Sequence, residues 1–252
     1  MQRRIFNILF FATSLLVTFS LFPQAYAADT HFTVVIDAGH GGHDPGAVGR
    51  RGKEKHINLS VALKLGRLIK QNCPDTKVVY TRDKDVFIPL HRRAEIANDA
   101  KADLFISIHT NSVASRSSKV SGTETYTLGL HRTEENLEVA KKENAVILIE
   151  DDYKQRYAGF NPNSAESYII FEFLQDKNMA QSVNFATAVQ RCFRNANRTD
   201  KGVHQAGFLV LRATSMPSVL IELDTSPTLR KNHSCFLNEV VPRWPKAFTG
   251  LS

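Results

Sequence analysis

Three runs of β-branched and aliphatic residues constrain this chain more than any other feature, because each ends abruptly on glycine, histidine or an acid. They are HFTVVIDA (31–38), ADLFISIHTNS (102–112) and PSVLIELD (217–224). Between the first two lie INLSVALKLGRLIK (57–70), whose apolar residues recur at helical spacing, a further strand-like TKVVYTR (76–82), and PLHRRAEIANDA (89–100), a helix opened by Pro89. That order is β-α-β-α-β, and strands apolar on both faces belong in a largely parallel sheet covered by helices. The expected fold class is α/β: a single domain with an open, largely parallel or mixed sheet flanked by helices. TETYTL (123–128) and GFLVLRA (207–213) read as additional strands. NLEVAKKENAVILIE (136–150), NMAQSVNFATAVQRCF (178–193) and much of 226–240 read as helices.

The first 27 residues stand apart. MQRR is followed by the apolar IFNILFFATSLLVTF, a break at Pro23, and Ala25-Tyr26-Ala27. This is the pattern of a secretory signal peptide cut after Ala27 or Ala28, leaving 28–252 as the domain and no stable membrane span. An uncleaved anchor is the other reading, since Ile5 to Phe22 is long enough to cross a bilayer. Composition adds little: 42% hydrophobic and 23% charged residues exclude a disordered chain. A net charge of +7, without a dense Lys/Arg run or a nucleic-acid motif, gives no reason to expect nucleic acid as a partner. Export permits disulfides, but Cys73, Cys192 and Cys235 are an odd number, so at least one is expected to be a buried small apolar residue.

In an open parallel sheet, ligands collect beyond the carboxyl ends of the strands. The three apolar runs deliver His40, His109 and Glu222 there, and Glu54 stands just ahead of the first helix. Two imidazoles and one carboxylate suit a catalytic zinc site with an open position, and a spare carboxylate can take a proton from water. Each residue also has a plainer role. A histidine at a strand end is commonly structural, and Glu54 suits the first turn of a helix. Spacing alone leaves both readings open.

The motifs go further. IDAGHGGHDPGAVG (36–49) with Glu54-Lys55, TRDKDVFIPLHRRAEIAN (81–98), LFISIHTNS (104–112) and GFLVLRATSMPSVLIEL (207–223) resemble the zinc-dependent N-acetylmuramoyl-L-alanine amidases of bacteria, over about residues 33–240. The resemblance implies Zn2+ as cofactor, His40, Glu54 and His109 as its ligands, and Glu222 as the catalytic carboxylate. It implies peptidoglycan as substrate, cleaved between N-acetylmuramic acid and L-alanine during wall remodelling or daughter-cell separation, with the periplasm as compartment and the extracellular wall as the alternative. Arg82 and Arg93 match family positions; Arg82 suits holding a loop or a substrate carboxylate, with a structural ion pair to Asp83 or Asp85 the preferred reading. Asn111 suits either substrate orientation or a turn. The chain departs from the family at Leu223-Asp224-Thr225-Ser226-Pro227, where Gly-Phe commonly follows the glutamate, and Asp224 ranks as a lesser proton carrier.

Some members that split dividing cells carry a helix that blocks the zinc site until a protein activator displaces it. Residues 150–166 are the corresponding insertion here, with Glu150, Asp151, Asp152 and Glu166 as the carboxylates that would reach the metal. A surface helix with solvated acids is an equal reading. Two rival functions share the scaffold: an inactive wall-binding protein, and a zinc peptidase that cuts within the stem peptide. His43 is expected at the rim of its loop.

Overall fold

The computed structural model describes residues 31–49, 52–110, 122–172 and 177–223. The leader, Asn111, Asp224, Cys235 and the helix expected within 226–240 lie outside them. The chain divides into Met1–His31 and Phe32–Ser252, and the sheet and its helices belong to the second unit.

Six strands form one mixed sheet in the order β4-β1-β5-β8-β6-β7. They are β1 (Phe32–Ala38), β4 (Thr76–Tyr80), β5 (Leu104–Thr110), β6 (Thr123–Leu128), β7 (Asp200–Ala206) and β8 (Ser218–Leu223). β4, β1, β5 and β8 run parallel; β6 is antiparallel to β8, and β7 is parallel to β6. A small hairpin of β2 (Val48–Gly49) and β3 (Gly52–Lys53) leads from β1 into the first helix.

Alternate residues of β1 enter different layers. Val34, Ile36 and Ala38 pack with α1 (Glu54–Asn72) and α5 (Met179–Asn195). Val35 faces the other side, which holds α2 (Leu90–Asp99), α3 (Glu134–Asn144), the 3-10 turns Ala145–Ile149 and Ala165–Glu172, and α6 (Leu209–Arg212). Two-sided burial explains why the central strands read as unbroken apolar runs rather than alternating ones. Cys73 and Cys192 are both buried in the first layer. Among the described residues, no helix is long and apolar enough to cross a membrane.

One expected element is corrected. Residues 207–213 are not a strand; Leu209–Arg212 form the short helix α6, and the strand is the preceding Asp200–Ala206. A continuous apolar run has no period with which to tell strand from buried helix. Here Phe208, Leu209, Val210 and Leu211 are all buried, and the Leu209 N–H is taken up by Asn144 Oδ1 at 2.9 Å, so the run turns instead of extending. β7 escaped notice because an edge strand reading DKGVHQA is mostly half-exposed and polar. The helix expected over 136–150 spans Glu134–Asn144 and tightens into the 3-10 turn Ala145–Ile149.

Candidate metal centre and its neighbouring carboxylate

α1 places its first residue by continuing its own buried stripe. Val61, Leu65 and Ile69 pack on the sheet; one and two turns earlier the same face carries Asn58 and Glu54, both buried. Glu54 therefore arrives at the carboxyl edge of the sheet, where β1 runs into His40 and β5 ends near His109. β5 and β8 are in register with His109 opposite Glu222. The parallel pairing thus sets the spare carboxylate beside the imidazole.

The loop after β1 is held in an uncommon shape. His40 adopts φ 61°, in the left-handed region that non-glycine residues seldom occupy. Reciprocal backbone bonds between Gly41 and Asp44, and a bond from Arg93 Nη2 to the His40 carbonyl at 3.0 Å, fix the loop. Gly39 is required by close approach: a Cβ there would lie 2.3 Å from His109 Nε2. Gly46, at φ +60°, leaves the same kind of room for His40 and Glu54.

Ligand atoms of His40, Glu54, His109 and, unexpectedly, Glu143 lie within 4.8 Å of one another. His40 Nε2 is 3.3 Å from Glu54 Oε1 and 3.2 Å from Glu143 Oε2, while His109 Nδ1 is 3.5 and 2.8 Å from the same two atoms. Among the described residues, His40 Nε2, His109 Nδ1 and Glu143 Oε2 are buried without a partner that meets hydrogen-bond geometry. Orphaned donors of this kind are costly unless something binds them. Two imidazole nitrogens and carboxylate oxygens converging there fit a divalent metal such as zinc.

Outer contacts orient the donors, as around metal-binding residues generally. His40 Nδ1 meets Asp44 Oδ2 at 2.7 Å. Glu54 accepts from Thr110 N at 2.9 Å, Ala47 N at 2.9 Å and Asn58 Nδ2 at 3.3 Å.

The electrostatics ask for positive charge. Burial opposes protonation of His109, but Glu143 overrides it and pushes the imidazole up to about 9. His40 is raised as well, against burial, by Glu143 and then Asp44. Burial and the neighbouring Glu143 charge work against ionising Glu54, yet the imidazoles of His109 and His40 beside it hold its carboxyl below the ordinary range. Glu222 differs: both oxygens are buried without hydrogen-bond partners among the described residues, and burial, followed by the charge of Glu143, raises it to about 8.

The structure clusters His40, Glu54 and His109 and sets Glu222 beside them, opposite His109 in the sheet. It corrects the carboxylate expected from the insertion. Glu150 accepts the Leu90 N–H, Asp152 pairs with Arg156, and Glu166 accepts from the Ser164 hydroxyl; the acid that reaches the cluster is Glu143, from α3 just upstream. Glu143 was obscured by the other acids of its helix, Glu134, Glu135 and Glu138, since only tertiary packing decides which of them turns inward. Asp44 did carry a signal: an acid one short turn beyond His40 within HGGHD.

Arg82 takes the loop-holding role rather than the ion pair with Asp85. It donates to the carbonyls of Ala38, Gly39, Lys55 and Lys84, while Asp85 pairs with Lys55 instead. Arg93 spans the loop from beneath through Asp37, Ala38 and His40. His43 is exposed and packs against Phe87, a rim position.

A buried two-histidine, carboxylate-rich cluster at the carboxyl edge of an open α/β sheet, with one carboxylate left beside it, has the parts of a metal-assisted hydrolase. The family model described as N-acetylmuramoyl-L-alanine amidase matches residues 34–228, and the chain belongs to that family. It is 34% identical over 207 residues to the N-acetylmuramoyl-L-alanine amidase AmiC of Escherichia coli O6:H1, spanning 79% of this chain and 47% of that protein. Against AmiA of Escherichia coli K12 it is 30% identical over 204 residues, spanning 79% of this chain and 68% of that protein. The chain thus spans about half of the AmiC relative's length. Among solved structures, the catalytic domain of CwlV from Bacillus (Paenibacillus) polymyxa var. colistinus superposes with a TM-score of 0.61 at 30% identity, covering 86% of this chain and 98% of that domain.

Proposed function

We propose that this chain is a zinc-dependent N-acetylmuramoyl-L-alanine amidase, exported by the leader at 1–27 and acting on peptidoglycan in the periplasm during wall remodelling or daughter-cell separation. The observation that carries the reading is the convergence of His40, Glu54, His109 and Glu222 at one edge of the sheet. Family membership supports the substrate bond, the amide between the lactyl group of N-acetylmuramic acid and L-alanine.

His40, Glu54 and His109 would hold the zinc, which when bound supplies Lewis acidity toward a carbonyl and a water more acidic than in bulk. Asp44 keeps the His40 ring turned with Nε2 inward, and the Thr110 and Ala47 amides keep Glu54 facing its partners. Glu222 takes the proton of the attacking water and returns it to the departing L-alanine amine. Glu222→Gln keeps the shape but cannot carry the proton; we expect turnover to drop by at least about a hundredfold, with zinc content unchanged. Product analysis on purified muropeptides decides the reaction. Release of intact stem peptide with a free L-alanine amine supports an amidase, cleavage inside the stem would mean a peptidase, and no product under any condition would mean a wall-binding protein.

A second reading rests on Glu143. It occupies the space between the two imidazoles, and none of His40, Glu54, His109, Glu143 and Glu222 is more than 7% exposed, so a glycopeptide cannot reach them. This arrangement supports an autoinhibited state in which α3, rather than 150–166, is the blocking element and a protein activator displaces it. Removal of Glu143 would also take away a negative charge that raises the Glu222 carboxyl, leaving more of Glu222 ionised and ready to accept a proton at neutral pH. Glu143→Ala should therefore raise activator-free hydrolysis about tenfold or more; unchanged activity in a zinc-loaded, folded variant argues against inhibition by this residue.

A further inference from the structure

A second group of donors lies apart from the catalytic cluster, where α2 meets the start of the 150–166 insertion. His91 stands on α2, Glu150 ends the 3-10 turn Ala145–Ile149, and Asp152 precedes α4 (Tyr153–Arg156). Ligand atoms of these three residues lie within 4.8 Å of one another. The Glu150 side chain is wholly buried. Its Oε1 accepts the Leu90 N–H at 2.8 Å, but Oε2 has no hydrogen-bond partner and lies 3.5 Å from His91 Nδ1. Among the described residues His91 Nδ1 is likewise buried without a hydrogen bond. Tyr157 feels the Glu150 carboxylate strongly, since burial and then Glu150 hold its hydroxyl protonated.

A buried carboxylate oxygen left unmatched is expensive, and with an unmatched imidazole nitrogen beside it the two call for a common partner. Asp152 supplies the missing side. It is 43% exposed, so an ion can enter past it, and its Oδ2 accepts from Arg156 Nε at 2.9 Å, which orients the carboxylate. One imidazole nitrogen and two carboxylate oxygens are a suitable donor set for zinc or a similar divalent transition ion.

We propose that His91, Glu150 and Asp152 form a second divalent-cation site that ties α2 to the insertion. The bound ion would pin the chain just beyond Glu143. That regulatory consequence rests on the autoinhibitory reading above; the site itself does not.

The test is zinc stoichiometry on the full mature chain, stripped with chelator and titrated with zinc alone. Wild type should bind two equivalents. A variant with Glu54→Gln and His109→Ala should keep one, and adding His91→Ala or Glu150→Gln to it should remove that one. Far-ultraviolet circular dichroism checks folding, with His91→Asn as the milder replacement. If wild type binds one equivalent and the Glu54/His109 variant none, the second site is absent and His91 and Glu150 form a metal-free ion pair. A second equivalent that survives His91→Ala, Glu150→Gln and His91→Asn also overturns the proposal. Failure of the catalytic reading looks different: substitution of Glu54 and His109 would then leave zinc content unchanged.

Discussion

At the scale of single residues, the site depends on what is absent as much as on what is present. Gly39 lies where any Cβ would sit 2.3 Å from His109 Nε2, well inside contact distance. Gly39→Ala should therefore displace the imidazole and weaken zinc binding by roughly ten- to a hundredfold, the range seen when a ligand loses its support. Calorimetric titration with zinc checks this, and an unchanged affinity would show that the loop yields. The protonation of the cluster makes a second residue-level prediction. In metal-free protein His109 is raised to about 9, above its unfolded value of about 6.5. Its contribution to stability is therefore complete below about pH 6.5 and lost as pH rises through about 9. Glu222, raised to about 8, acts in the same direction, because only the unfolded chain ionises it readily below that pH. The melting temperature of chelator-treated protein should fall from about pH 6.5 to about pH 9, and the zinc-loaded protein should fall less, since metal-bound imidazoles need no proton. Equal slopes with and without zinc would contradict this assignment of charge.

At the scale of elements, legibility followed burial. His40, His109 and Glu222 were readable because each interrupts or terminates an apolar strand, and parallel pairing sends those ends to one edge. Glu54 was readable through its motif, and the structure adds the reason: it completes the buried face of α1. Glu143 was not readable, since α3 carries several acids and its orientation is decided by contacts distant in sequence. Leu137 and Ala140 are buried in the second layer, and Asn144 donates to the Gly207 carbonyl and accepts the Leu209 N–H. β7 and α6 were exchanged for a related reason: a polar edge strand is muted in sequence, and a short apolar helix mimics a core strand.

At the scale of the molecule, one ion pair joins the sheet to the helix layer beneath the metal loop. Arg93 Nη1 contacts Asp37 Oδ1 at 2.8 Å, and Asp37 also accepts hydroxyl hydrogens from Thr81 and Ser107. Burial works against the Asp37 charge, but Arg93 and the two hydroxyls hold its carboxyl below the ordinary value. Arg93→Ala would leave that charge enclosed without its partner, and breaking a buried pair from one side costs about 3–5 kcal/mol. Chemical denaturation should register a loss of that order; a change within about 0.5 kcal/mol, the range of ordinary surface substitutions, would mean that water replaces the guanidinium.

The two-layer packing has a consequence for how such a molecule can vary. Glu54 comes from α1 in one layer, whereas Glu143 comes from α3 in the other, and they meet only at the sheet's edge. The donors expected to hold the metal are carried by β1, β5 and α1, none of which lies in the stretch between β6 and β7 that contains α3. The proposed inhibition and the proposed hydrolysis are thus written in separable pieces of sequence. The stretch between β6 and β7 can lengthen, shorten or change its trigger without redrawing the reaction centre.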